Sequence, residues 1–129
     1  MIGLVTDSNA QLPVDLRDRY QVGIVPLTVV VGGRPYQEGV DITTAEFYEQ
    51  LADGADVSTA APSPGAVLAV YEQAAAAGAT EILSIHIGSN TSATINAVNV
   101  AADSSPVPVE IVDTGTASFA VACCVWAAG

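Results

Sequence analysis

Two stretches of this 129-residue chain bring small hydroxyl side chains to places where they could hold an anion. The first is Val57-Ser58-Thr59-Ala60-Ala61-Pro62-Ser63-Pro64-Gly65, the second Gly88-Ser89-Asn90-Thr91-Ser92-Ala93-Thr94. Each leads into an apolar helix. A helix start leaves backbone N–H groups without partners and carries a partial positive charge, so added hydroxyls make it a neutral-donor cradle. Thr59 and Ser92 are the candidate ligand contacts, provided they converge at one edge of a sheet. Taken singly, each reads more readily as ordinary capping or turn chemistry.

Candidates for catalysis are fewer. His86, the one histidine, stands between Ile85 and Ile87 in a strand-like run, the setting of a satisfied core histidine. A catalytic role would need Asp7 or Asp113 beside it on an adjacent strand. Thr6-Asp7-Ser8 at a strand end could offer an aspartate nucleophile for phosphoryl transfer, but that chemistry calls for further acids for magnesium and a basic group for the phosphate. The chain has no lysine, and Arg17, Arg19 and Arg34 are its only cations. Asp7 is better read as ordering its loop by accepting backbone hydrogen bonds. No G-x-G-x-x-G, P-loop or G-x-S-x-G pattern occurs. A lone histidine without clustered carboxylates does not make a metal site. The expectation is a protein that holds a ligand, with no catalytic residue, metal or cofactor of its own.

Composition bounds what positions these groups. Half the residues are hydrophobic, 13% are charged and aromatics are few, which suits a buried parallel sheet flanked by alanine-rich helices in one domain. The formal charge of −11 makes nucleic acid a poor partner and disfavours docking on anionic lipid. No apolar run reaches the ~18 to 20 residues of a membrane span. Met1-Ile2-Gly3 opens on a strand rather than a basic signal sequence, so no stable membrane insertion and a cytoplasmic location are expected. Cys123 and Cys124 are neighbours that rarely meet disulfide geometry and read as reduced core residues.

Apolar runs predict strands over 2–5, 22–31, 81–87 and 107–112, with an extended arm or short hairpin at 34–41. Helices are predicted over 14–20, over 44–51 behind a Thr43/Glu46 capping box, and from Ser63-Pro64 to about Ala77. A fourth is capped by Thr91 or Ser92, and a last runs from Ala117 to Gly129, while 55–62 reads as a loop. Strands alternating with helices imply a three-layer α/β/α fold with a mainly parallel sheet and ligands at the carboxyl ends of its strands. The last segment carries no charge and must be covered on most sides, so self-association through this apolar C-terminal segment is an expectation.

Val5-Thr6-Asp7-Ser8-Asn9-Ala10-Gln11-Leu12-Pro13 resembles the opening V-T-D-S-T-A-D-L-P of the DegV family of bacterial fatty-acid-binding proteins. Further segments follow in the family's order: Val25-Pro26-Leu27-Thr28-Val29, Gly39-Val40-Asp41-Ile42-Thr43 with Glu46-Phe47-Tyr48, the loop from Thr59 to Gly65, and Leu83-Ser84-Ile85-His86-Ile87. Residues 109–118 are similar to its V-x-V-x-D-S-x-S-A-S stretch, so the resemblance covers nearly the whole chain.

The resemblance implies an α/β domain that cradles a long-chain fatty acid and serves as the non-catalytic, lipid-presenting subunit of a fatty-acid kinase. In the family's T-S-Q-P-S-P-G motif the threonine contacts the carboxylate, and Thr59 matches it. In its S-S-x-L-S-G-T motif the serine before the glycine does the same, and Ser92 matches it. The departures are Ala60-Ala61 for Ser-Gln, Ala93 for the glycine, Thr91 for the leucine and Gly88 for one of the paired serines. Family members are about twice as long, with a second domain closing over the ligand; residues 1–129 are expected to correspond to the first domain alone, as an excised or truncated product. The rival expectations are a small hydrolase or phosphotransferase using Asp7 and His86, and a structural fragment that binds nothing.

Overall fold

The computed structural model describes all of residues 1–129. The chain runs through β1 (Ile2–Asp7), α1 (Val14–Tyr20), β2 (Gly23–Val25), β3 (Thr28–Val31), β4 (Arg34–Gln37), α2 (Thr44–Ala52), β5 (Val57–Ala60), α3 (Pro64–Ala76), β6 (Glu81–His86), α4 (Thr94–Ala102), β7 (Val109–Asp113) and α5 (Phe119–Ala128). A short 3-10 turn, Ser8–Ala10, follows β1.

Four parallel strands form the main sheet in the order β2-β1-β6-β7. Their apolar runs are buried on both faces, as parallel strands require. Val5 and Ile82 pack beneath α3 and α4 with Val67, Tyr71 and Val98. Leu4 and Ile85 pack on the opposite face against Val121 and Val125 of α5. This is the three-layer arrangement expected.

A second, antiparallel sheet of order β4-β3-β5 was not expected. The run 22–31 is two strands, not one. Pro26 has no N–H to give a ladder and restricts the residue before it, so the chain leaves the main sheet after Val25 and starts the second at Thr28. The arm at 34–41 begins as β4, reached through Gly32 and Gly33 at φ 58° and 81°, values that glycine adopts without strain. The supposed loop 55–62 contains β5, which pairs Thr59 with Val29. Val29, Val31 and Ile42 form a small core here, with Phe47 of α2 against it.

Helix starts follow the sequence except at one. Thr43 Oγ1 accepts the Glu46 N–H at 3.2 Å while the Glu46 carboxylate accepts the Thr43 N–H at 2.7 Å, and the Thr43 N–H, followed by the Thr43 hydroxyl, holds the Glu46 carboxyl below its ordinary range. Ser63 Oγ accepts the Ala66 N–H at 3.1 Å, with Pro64 in the first turn. At α4, however, Ala93 takes the cap position and makes no side-chain bond. On α5, Val121, Ala122 and Val125 are buried, whereas Phe119 and Trp126 are exposed; both cysteines are free, but Cys123 is exposed and Cys124 half-buried rather than core, because the helix turns its other face to the sheet. No helix is long and apolar enough to cross a membrane.

Candidate functional site

The main sheet reverses its strand order between β1 and β6, and in open α/β sheets the crevice outside the carboxyl ends at such a point receives ligands. A cavity of about 1090 Å³ lies there. Asp7 and Ile87 border it at the ends of β1 and β6, and Ser118 borders it at the start of α5. Val29 and Thr59 of the second sheet, with Phe47 of α2, add further wall. Thr59 and Ser92 therefore reach one cavity, although Thr59 arrives on a strand of the second sheet rather than on a loop of the first.

Ser92 is not the helix cap expected of it. Its Oγ accepts the Thr94 N–H at 3.2 Å and lies 2.8 Å from Thr94 Oγ1, while the N–H groups of Thr91 and Ser92 both bond the Gly88 carbonyl at 2.9 and 3.1 Å. The tight turn that results places Ser92 on the cavity wall just ahead of α4. Gly88 is required by its surroundings: a Cβ there would lie 2.8 Å from the Gly115 backbone. That close approach accounts for a glycine where the motif has serine.

Asp113 steadies the same turn. Its carboxylate accepts the N–H of Ser89 at 3.1 Å, the Ser89 hydroxyl, and the N–H of Gly115 at 3.1 Å. The Ser89 side-chain bond, followed by the two backbone bonds, holds the Asp113 carboxyl below its ordinary value. A carboxyl with a depressed folded-state pKa contributes stability above its unfolded value and loses it as pH falls through the folded one. The turn should therefore stay ordered at neutral pH and loosen only below the usual aspartate value of ~3.9. An acid titration followed by the Ser89 amide resonance checks this; Asp113→Asn should abolish the step.

Asp7 and His86 do meet, because β1 and β6 are neighbours. His86 Nδ1 lies 3.0 Å from Asp7 Oδ2, His86 Nε2 lies 2.6 Å from Ser84 Oγ, and Ser84 Oγ lies 2.8 Å from Tyr71 OH. One set of directions satisfies the whole row: Tyr71 donates to Ser84, Ser84 to His86 Nε2, and His86 Nδ1–H to Asp7. Burial pushes the Tyr71 phenol above its ordinary value, partly offset by the bond to Ser84. Serine, histidine and aspartate in this order resemble a hydrolytic triad. Every one of the three is sealed from solvent at 0% exposure, so no substrate reaches the serine oxygen. The row is core, not an active site. As read from the sequence, Asp7 also orders its loop, accepting the Asn9 N–H at 3.1 Å and the Ile87 N–H at 3.0 Å. No three His, Cys, Asp or Glu side chains gather where they could hold a metal ion.

Residues 1–129 match the profile of the family described as "Uncharacterised protein, DegV family". The chain belongs to the DegV family. It is 39% identical over 127 residues to a DegV domain-containing protein of Streptomyces coelicolor, a match covering 98% of this chain and 45% of that protein. Its fold is similar to that of a DegV family protein from Thermus thermophilus studied for fatty acid binding, with a TM-score of 0.87, 39% identity, and coverage of 98% of this chain and 45% of the other. It is also similar to DegV, a fatty acid binding protein from Bacillus subtilis, with a TM-score of 0.85, 28% identity, and coverage of 93% and 43%. The chain spans less than half the length of each of these relatives.

Three features of this DegV site escape sequence reasoning. Arg17 borders the cavity, although its helix reads as surface; its guanidinium is engaged by Asp18 at 2.8 Å. Ser8 ties the two sheets together, accepting the Leu27 N–H at 2.9 Å and donating to the Glu38 carboxylate at 2.6 Å. Ser118 borders the cavity at φ 59° and ψ −140°, a conformation costing a non-glycine residue about 1–3 kcal/mol. Asn9 Oδ1 holds it there by accepting the Ser118 N–H at 2.8 Å. Nothing local in Ala117-Ser118-Phe119 signals such a backbone.

Proposed function

We propose that this chain binds a long-chain fatty acid, holds its carboxylate with Thr59 and Ser92, and presents it to an ATP-using fatty-acid kinase for acyl-phosphate formation. The observation that carries the reading is that a hydroxyl from the second sheet and one from the turn after β6 border one cavity whose wall also offers Leu27, Val29, Ile42 and Phe47. The fatty acid binding of the Thermus and Bacillus relatives supports the ligand class.

The energetics are consistent. Burying a 16-carbon chain gains on the order of 10 kcal/mol gross, at ~0.8 kcal/mol per methylene. Association and ordering offset much of it. The carboxylate must then be hydrogen-bonded, or its desolvation cancels the remainder. Ser92 is suited to this: its oxygen can accept both the N–H and the hydroxyl of Thr94, which leaves its own proton for a ligand. A neutral donor pair also spares the carboxylate a tight ion pair, which would lower its reactivity toward phosphoryl transfer.

Mass spectrometry of gently purified protein should reveal a co-purifying long-chain fatty acid that added oleate displaces. A protein that carries no lipid and takes up no oleate would overturn the reading. Acyl-phosphate formation by an added fatty-acid kinase, dependent on this chain, tests the presentation step.

A further inference from the structure

We propose that Asp7 is the positioning residue of this site: its sealed carboxyl sets the loops that border the lipid head group, an inference that rests on the fatty-acid reading above. Three N–H donors converge on it. Asn9 N–H reaches Oδ1 at 3.1 Å, while Ile87 N–H and His86 Nδ1 each reach Oδ2 at 3.0 Å. Asn9 and Ile87 both border the cavity, and Asp7 itself is 0% exposed.

Each bond governs a loop. Ile87 is followed directly by Gly88, whose carbonyl gathers the N–H groups of Thr91 and Ser92. Fixing Ile87 therefore fixes the origin of the turn that delivers Ser92. Asn9, anchored through its backbone, uses its side chain to hold the Ser118 N–H at 2.8 Å. One carboxyl thus aligns the chain leaving β1, the chain leaving β6 and, through Asn9, the start of α5. His86 prevents that carboxyl from turning, because its other ring nitrogen is held by Ser84 at 2.6 Å. Only a group with two acceptor oxygens and no donor satisfies three N–H groups here. An asparagine would aim its own NH₂ at one of them.

The test compares oleate binding by calorimetry, amide hydrogen exchange and thermal melting in the parent, Asp7→Asn and Tyr71→Phe. Asp7→Asn should bind oleate roughly tenfold more weakly or worse, with Ile87 and Asn9 amides exchanging at least about tenfold faster. Tyr71→Phe breaks the same polar row at its far end and leaves Ser84 to hold His86; it should lose melting temperature yet keep its oleate affinity within about twofold. An Asp7→Asn protein with parental protection at Ile87 and Asn9 would overturn the proposal, as would an affinity loss no larger than that of Tyr71→Phe. If Asp7→Asn does not fold, native-state hydrogen exchange of the parent serves. The Ile87 and Asn9 amides should exchange at least about tenfold more slowly than exposed loop amides beside the cavity, and exchange as fast as those would overturn the proposal. A parent that takes up no oleate overturns the fatty-acid reading alone, since amide exchange still decides the role of Asp7.

Discussion

Replacing His86 with alanine should cost the fold about 3–5 kcal/mol, the scale expected when a large buried ring is truncated and its hydrogen-bond partners are left unsatisfied. The ring sits at 0% exposure between Ser84 and Asp7, so its loss leaves a void, a serine hydroxyl without its acceptor and a buried carboxyl short of one donor. That is a large share of the 5–15 kcal/mol that stabilises an ordinary domain. Urea denaturation followed by circular dichroism measures it. The sign also separates two roles for the residue, because active-site groups are commonly held against the interest of stability and their removal is tolerated or favourable. An alanine variant as stable as the parent would return His86 to the list of reactive groups.

Removing the two hydroxyls should weaken fatty-acid binding by about one to two orders of magnitude each, since a charged head group loses a buried donor worth roughly 1–3 kcal/mol. Thr59→Val is the cleaner of the two. Its side chain is exposed on β5, so the isosteric change should leave the melting temperature alone. Ser92→Ala carries a second effect, because it strands the fully buried Thr94 hydroxyl and should cost about 1 kcal/mol of stability as well. Oleate titration of the single and double variants checks both effects. Both hydroxyls gripping one carboxylate would make the double variant's loss fall short of the sum of the singles, as neighbouring sites seldom add. Binding equal to the parent in all three would remove these residues from the site.

The layered fold was legible because its signals are local. Thr43 with Glu46, and Ser63 with Pro64, announce their helices through bonds that span three residues. The second sheet was not legible for the opposite reason. Val57-Ser58-Thr59-Ala60 has one large apolar residue and becomes a strand only by pairing with a distant partner, as Thr59 does with Val29, 30 positions away. Pro26 did carry a signal, and reading through it merged two strands into one. Thr59 and Ser92 were nameable as hydroxyls at suggestive places, yet whether they met depended on how β5 and the turn after β6 docked. The pairing of Asp7 with His86 was likewise conditional on β1 and β6 lying side by side, a contact across 79 residues. Arg17 and Ser118 gave no sign, since a cavity wall and a strained backbone are properties of the assembled chain.

Because each member of the row from Tyr71 to Asp7 is hydrogen-bonded to the next, the four side chains form one unit of inheritance. Exchanging one member strands the next, whereas swapping the whole row for well-fitted hydrocarbon could be nearly neutral. The middle of this domain is therefore expected to drift between lineages in blocks of several residues. Exposed positions away from the cavity, such as Val100, are free to vary one at a time.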